Sequence, residues 1–186
     1  MAPVRSGRRA LLLGALCMGL WVRAAHAADL APTEQQLKAV FVFNFSHFVQ
    51  WPPAAFASAT EPFVIGVLGN DAFAAQVEEA VRDEHLDAHP LQVQRYGRVD
   101  DIRDCRILYI DRSQGAQLDR VLALLDHHGT LTVSDVDDAA RHGIIIQLAT
   151  EEHRIRLVIN AEQARSAGLT ISSNLLRLAR VAHTGE

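Results

Sequence analysis

Short, almost entirely apolar runs recur along this chain and alternate with segments of helical spacing. Runs of this length and composition are typical of strands that are buried on both faces of a sheet. Strands that alternate with helices favour right-handed crossovers and therefore parallel pairing. The predicted strands are residues 63–69, 91–96, 106–110 and 131–133.

The segments between these strands have apolar residues at every third or fourth position, which is the spacing of an amphipathic helix. Residues 71–82 are predicted as one such helix, with Ala74, Val77 and Val81 facing inward. Residues 114–127 are predicted as another. Its inner face carries Leu118, Val121, Leu122 and Leu125.

The end of the chain departs from this alternation. Residues 143–149 and 154–160 are two further strands joined by a short polar turn, so we expect them to pair antiparallel at one edge of the sheet. In the second of these strands, Arg154 and Arg156 project from one face and the apolar residues from the other. A final helix over residues 172–183 is expected to dock on the sheet.

Together these elements predict an α/β fold built as a three-layer sandwich. It has a mainly parallel sheet of about six strands, an antiparallel C-terminal edge hairpin, and helices on both faces. No linker, low-complexity tract or internal repeat interrupts the chain after residue 28, so residues 28–186 are predicted to form a single domain.

The helix before the first strand is unusually apolar. It begins with capping-box spacing at Thr33 and Gln36 and ends at Trp51-Pro52-Pro53. Either its own domain covers it on both sides, or Phe43, His47 and Trp51 take part in a partner or dimer contact. Its broad apolar face consists of Leu37, Phe41, Val42, Phe45, Phe48 and Val49, with Val40 and Phe43 on the other side.

The first 27 residues have the pattern of a secretory signal peptide. Three arginines precede an apolar run at residues 11–22, and Ala25-His26-Ala27 is a small-x-small cleavage site. We expect cleavage before Ala28 and a periplasmic mature chain. The apolar run is shorter than the roughly 20 residues of a membrane-spanning helix, so direct membrane insertion is not expected.

Removal of this segment makes the chain strongly acidic. The four charged residues in it are all arginines, so 14 Lys and Arg remain against 22 Asp and Glu, a net charge of about −8. This balance disfavours nucleic acid and anionic lipid as partners. The mature chain has one cysteine, Cys105, which excludes an internal disulfide and is predicted to be a free thiol in the core.

Motifs that carry chemistry are weak throughout the sequence. Residues 66–70 could form a nucleotide-binding turn, but they lack the G-x-G-x-x-G spacing, and a tight turn capped by Asn70 or Asp71 is the alternative. Ser134 and Asp135 follow a strand at the carboxyl edge of the sheet, where ligands bind in such folds, yet they also suit a cap of a helix near residues 136–140. The histidines have no metal-ligand spacing and no hydrolase elbow is present. We therefore predict no catalytic, cofactor-binding or metal-binding residues.

Seven segments, read in order, resemble the YfiR family of periplasmic regulators. No one of them is diagnostic, but the ordered set spans nearly all of the mature chain. They are KAVFVFNF at 38–45, FVQWP at 48–52, FVIGVLG at 63–69, CRILYI at 105–110, LTVSD at 131–135, RIRLVIN at 154–160 and GLTISSNLL at 168–176.

The resemblance implies a non-enzymatic repressor. Such proteins bind the periplasmic sensor domain of an inner-membrane diguanylate cyclase and thereby lower cyclic-di-GMP and biofilm formation. The family also implies an outer-membrane lipoprotein that sequesters the repressor, and a homodimer. Better-known members carry further cysteines that form disulfides. Because only Cys105 is present after residue 27 here, redox control through an internal disulfide is not expected.

Two sets of residues follow as candidates. Phe43 and Trp51 are candidate apolar anchors for a partner, and Arg154 and Arg156 are candidate charged contacts, although a solvated strand face is the alternative for the arginines. A second hypothesis is a periplasmic small-molecule-binding domain. Its ligand would occupy the carboxyl edge of the sheet at Asn70, Ser134 and Asp135.

Overall fold

A computed structural model describes residues 32–125 and 129–183 of the chain. The predicted signal peptide, its cleavage site and the last residues of the helix predicted over 114–127 lie outside the described residues.

The described chain alternates strands and helices, as the apolar runs predict. The helices are α1 (Glu34–Phe48), α2 (Asp71–Ala80), α3 (Leu118–Leu124), α4 (Ala161–Ser166) and α5 (Ser173–Leu178). The strands are β1 (Val49–Gln50), β2 (Phe63–Leu68), β3 (His85–Leu86), β4 (His89–Tyr96), β5 (Ile107–Ile110), β6 (Leu131–Ser134), β7 (Ile146–Glu151), β8 (Arg154–Ile159), β9 (Thr170–Ile171) and β10 (Arg180–Val181).

The strands form one large sheet of order β10-β8-β7-β6-β5-β2-β4-β3 and a small antiparallel pair, β1 with β9. Strands β4, β2, β5, β6 and β7 are mutually parallel, and β7 pairs antiparallel with β8. The predicted α/β fold with a mainly parallel sheet and an antiparallel hairpin near its C-terminal edge is confirmed. In the described chain the large sheet has eight strands, whereas about six were predicted. The two additional strands, β3 and β10, could not be predicted because each is only two residues long and carries no alternation.

Side chains on the two faces of the large sheet enter two separate cores. Ile107 and Tyr109 of β5 enter the core beneath α1 and α2, while Leu108 and Ile110 enter the core beneath α3. This alternation follows from the two-residue period of a strand. Helices therefore cover both faces of the sheet, as predicted.

The β7–β8 hairpin turns at Glu152 and His153, which both have positive φ (48° and 61°). Two consecutive residues in the left-handed region are typical of the type I′ turns that match the twist of paired strands. The turn therefore holds the register in which Glu151 faces Arg154 and Ala149 faces Arg156.

Two predictions of local structure are wrong and one is right only in part. The last helix ends at Leu178 rather than near residue 183, because the chain then adds β10 in parallel beside β8. The expected docking of this segment is met by Leu175, which is buried in the core, and by the partly buried Leu176 and Ala179, whereas Leu178 is 78% exposed. The segment after Asp135 forms successive turns rather than a helix, with Asp138 at φ 55° interrupting helical geometry.

The buried face of α1 also differs from the predicted one. The capping box at Thr33 and Gln36 is confirmed, with both reciprocal hydrogen bonds formed. However, Leu37 and Phe48, predicted inside, are 41% and 37% exposed. The residues that are buried are Lys38, Ala39, Val42, Phe45 and Ser46.

Candidate interaction surfaces

A buried ion pair joins α1 to the carboxyl edge of the sheet. The ammonium of Lys38 lies 2.7 Å from Oδ2 of Asp135 and 2.8 Å from Oε1 of Glu34. The side chains of Lys38 and Asp135 are each 1% exposed, so their charges interact in a medium of low polarity. Lys38 lies on the same helix face as Val42 and Phe45. A lysine on such an apolar face is the feature of the sequence that could have indicated a buried ion pair.

Arg112 makes two further contacts with the Asp135 carboxylate. The backbone N–H of Arg112 donates to Oδ1 of Asp135 at 2.8 Å, and the guanidinium of Arg112 lies 3.5 Å from Oδ2. Burial, together with the nearby Asp135 carboxylate, raises the pKa of Tyr109, so its phenol stays neutral.

Ser134, which precedes Asp135, donates to the carbonyl of Ile110 and accepts the N–H of Val136. Both candidate ligand-edge residues are thus bonded within the protein, although the helix expected after them is absent.

The third candidate ligand-edge residue lies nearby, where the strand order reverses between β2 and β5. Asn70 accepts the N–H of Phe73 as the N-cap of α2 and donates to Oδ2 of Asp111 at 2.8 Å. Burial by itself would raise the pKa of Asp111, but hydrogen bonds from Asn70 and Ser113 outweigh it and lower the pKa. Asp111 therefore links Asn70 to the same edge as Asp135. A ligand binding at this edge would have to replace bonds that the chain already makes.

Trp51 and Phe43, the two candidate apolar anchors, each contact another aromatic ring. The indole N–H of Trp51 donates to the carbonyl of Arg106 at 3.2 Å, and its ring packs edge-on against Phe63 at 4.9 Å. Phe43 packs edge-on against His47 at 5.2 Å. Both rings are half-buried against the core, so each offers only part of its surface to a partner.

A cavity of about 420 Å³ adjoins Trp51. Phe56 and His89 stack at 4.3 Å on its wall, and the guanidinium of Arg106 lies 5.2 Å from the Phe56 ring. His47 also lines the cavity, whereas Phe43 does not belong to its described lining. The structure thus brings Trp51 and His47 together at one depression.

The solvent face of α1 carries an apolar stripe, defined as the exposed side chains of Leu37, Val40 and Phe48. Leu37 and Val40 are three residues apart and Val40 and Phe48 are eight, so these positions share a helix face. Val40 is 47% exposed, so the described residues do not cover α1 on both sides, which was the first of the two alternatives. An exposed stripe of this kind is typical of an interaction surface.

Arg154 and Arg156 lie on the solvent-facing side of β8, and both are exposed. The predicted edge position is only partly right, because β10 pairs with Val158 and Ile159, while residues 154–157 have no outer strand beside them in the described chain. Two further arginines, Arg177 of α5 and Arg180 of β10, line a cavity of about 340 Å³ together with Arg156. The sequence does not reveal them, because only the return of α5 and β10 to β8 brings them beside Arg156.

One family model matches residues 35–180, the YfiR/HmsC-like family. The chain belongs to this family. A search of curated proteins found no significant match. The matched range begins in α1 and ends in β10, so it contains the buried ion pair, the apolar stripe and the arginines of the β8 edge. The YfiR/HmsC-like family implies a periplasmic regulator of a diguanylate cyclase, a regulatory rather than a catalytic role.

Cys105 in this family member is a buried free thiol. Burial raises the pKa of Cys105 to about 12, only partly offset by a backbone hydrogen bond from Gly66. The reactive form of a cysteine is the thiolate, so this thiol is inert in the folded chain at neutral pH.

Within residues 32–125 and 129–183, no cluster of three or more His, Cys, Asp or Glu side chains could hold a metal ion. In the same ranges, no helix is long and apolar enough to cross a membrane.

Proposed function

We propose that this chain is a periplasmic repressor that binds the sensor domain of an inner-membrane diguanylate cyclase and lowers cyclic-di-GMP and biofilm formation. The observation that carries the proposal is the family match over residues 35–180. The signal-peptide pattern of residues 1–27 supports export, with cleavage before Ala28 and a single mature domain over residues 28–186.

Repression of this kind is a matter of differential binding. A repressor lowers cyclase activity only if it binds the inactive conformation better than the active one, since equal affinity would shift no population. A tenfold preference corresponds to about 1.4 kcal/mol, which a few contacts at one surface can supply. Trp51 and the apolar stripe offer apolar contacts, and Arg154 and Arg156 offer charged ones.

The test uses the purified chain from residue 28 and membranes that contain the full-length cyclase of the same organism. We expect the initial rate of cyclic-di-GMP synthesis to fall as the chain is added, in parallel with binding to the cyclase's periplasmic domain. A cyclase truncated to remove that domain is the matched control and should keep its full rate. An unchanged rate for the intact cyclase, with the chain in saturating excess, would refute the proposal.

The proposal includes a release step and a homodimer. An outer-membrane lipoprotein would free the cyclase by sequestering the repressor, and it should compete with the cyclase domain for the purified chain. For the homodimer, the apolar stripe is suited to a second copy because positions 39–48 carry no acidic or basic side chain other than His47. Sedimentation should detect a dimer that Val40→Glu dissociates, and a monomer for the unaltered chain would contradict this part.

A further inference from the structure

Strand β8 is only half covered at its outer edge. Strand β10 lies beside Val158 and Ile159, and in the described part of the chain no strand lies beyond residues 154–157. The outward backbone N–H and C=O groups of such a segment can pair with an incoming extended chain. The open edge therefore offers main-chain hydrogen bonds to a partner.

The side chains around this open edge carry an excess of positive charge. The adjoining cavity of about 340 Å³ is lined by Arg156, Arg177 and Arg180, and Glu151 is the one carboxylate among its described lining residues. Glu151 pairs with Arg180, and its pKa is lowered by the hydrogen bond from Arg180 and by the charge of Arg156. The charges of Arg156 and Arg177 are thus not balanced by a carboxylate lining this cavity.

This positive site stands out because the mature chain as a whole is acidic, with a net charge of about −8. One exposed apolar side chain, Leu178 at 78% exposed, lines the same cavity as the arginines. Arginine forks bind carboxylates through paired hydrogen bonds, and exposed apolar groups favour a partner that covers them. The complementary ligand is therefore acidic, with apolar residues between its carboxylates.

We propose that the open edge of β8, with Arg156, Arg177 and Arg180, binds an extended acidic segment of the regulated cyclase, which adds to the sheet as a further strand. This inference rests on the proposed function and identifies the surface that performs it. Main-chain bonds to residues 154–157 supply the alignment, and the guanidinium groups of Arg156 and Arg177, which no carboxylate of the cavity lining balances, select carboxylates.

The test compares charge reversals at two places. The pair Arg156→Glu and Arg177→Glu should weaken binding of the cyclase's periplasmic domain by about tenfold to a hundredfold. The matched control, Arg98→Glu with Arg120→Glu, makes the same change of charge at exposed arginines beside Asp100 and should retain wild-type affinity. Circular dichroism melts of both variants exclude unfolding as the cause of lost binding.

Hydrogen exchange supplies an independent readout. Among residues 154–157, the amides that point away from β7, which belong to every second residue, should gain protection when the cyclase domain binds, because an added strand pairs with them. Equal weakening by both charge-reversal pairs, or binding without protection of these amides, would overturn the inference while leaving the proposed function intact. Protection of the same amides by inorganic phosphate alone would also overturn it, in favour of a small-anion site. Failure of the unaltered chain to bind would instead contradict the proposed function itself.

Discussion

Replacing Lys38 by methionine should destabilise the protein more than any single change on its surface. The substitution keeps most of the side-chain volume but removes the ammonium that lies 2.7 Å from Asp135. Removal of one partner of a buried pair costs about 3–5 kcal/mol, because the other charge is left without compensation. Asp135 keeps the N–H of Arg112 at 2.8 Å and its guanidinium at 3.5 Å, so we expect a loss near the lower limit, about 3 kcal/mol.

Urea unfolding of the chain from residue 28, followed by circular dichroism, measures this loss. The midpoint should fall while the slope of free energy against urea stays the same, which identifies a change in stability alone. Asp135→Asn introduced into the Lys38→Met protein should recover part of the loss, since no buried charge is then unpaired. Glu34→Gln is the control on the exposed side of the same lysine, and it should cost about 0–1 kcal/mol.

The reasoning would be refuted if Lys38→Met and Glu34→Gln had equal effects. Equality would mean that the buried carboxylate needs no cation from α1, and that apolar packing alone holds this helix against the sheet.

Three further predictions follow from local geometry. The thiol of Cys105 should resist alkylation in the folded chain at pH 8 and react on unfolding, because folding raises its pKa to about 12. The contribution of this thiol to the free energy of unfolding should be complete below about pH 8.5 and decline above it, since the unfolded chain then loses the proton first. Cys105→Ala should lessen that decline. Gly66→Ala should cost about 1–3 kcal/mol in urea unfolding, since its Cβ would lie 2.6 Å from the Tyr96 ring. Glu152→Asn with His153→Gly should raise the melting temperature by a few degrees, because both residues already have positive φ. Ready alkylation of the folded chain, a neutral Gly66→Ala, or a lowered melting temperature for the turn variant would contradict the respective explanations.

The sheet could be predicted from sequence because its central strands are apolar on both faces. Ile107, Leu108, Tyr109 and Ile110 are all buried, and a run of this kind has few alternatives to a central parallel strand. The short strand β10 could not be predicted, because Arg180 and Val181 are exposed and only the neighbouring strand β8 makes them extended. Position in the fold, not local pattern, decides their conformation.

The candidate surfaces were predicted unevenly for a similar reason. Arg154 and Arg156 alternate with apolar residues, so a two-residue period is enough to place them outward. Arg177 and Arg180 join them only through tertiary structure, since α5 and β10 return to the end of β8. Lys38 was overlooked because its partner Asp135 lies 97 residues away, and periodicity carries no information about such a pair.

The most direct measurement is cellular cyclic-di-GMP after deletion of the gene, with complementation by two forms of the chain. The full chain carries the predicted signal peptide, and a form that starts at residue 28 does not. We expect cyclic-di-GMP to rise on deletion and to return to its original level only with the full chain, because repression requires the protein to reach the periplasm. No change on deletion, or equal rescue by both forms, would contradict periplasmic repression of a diguanylate cyclase.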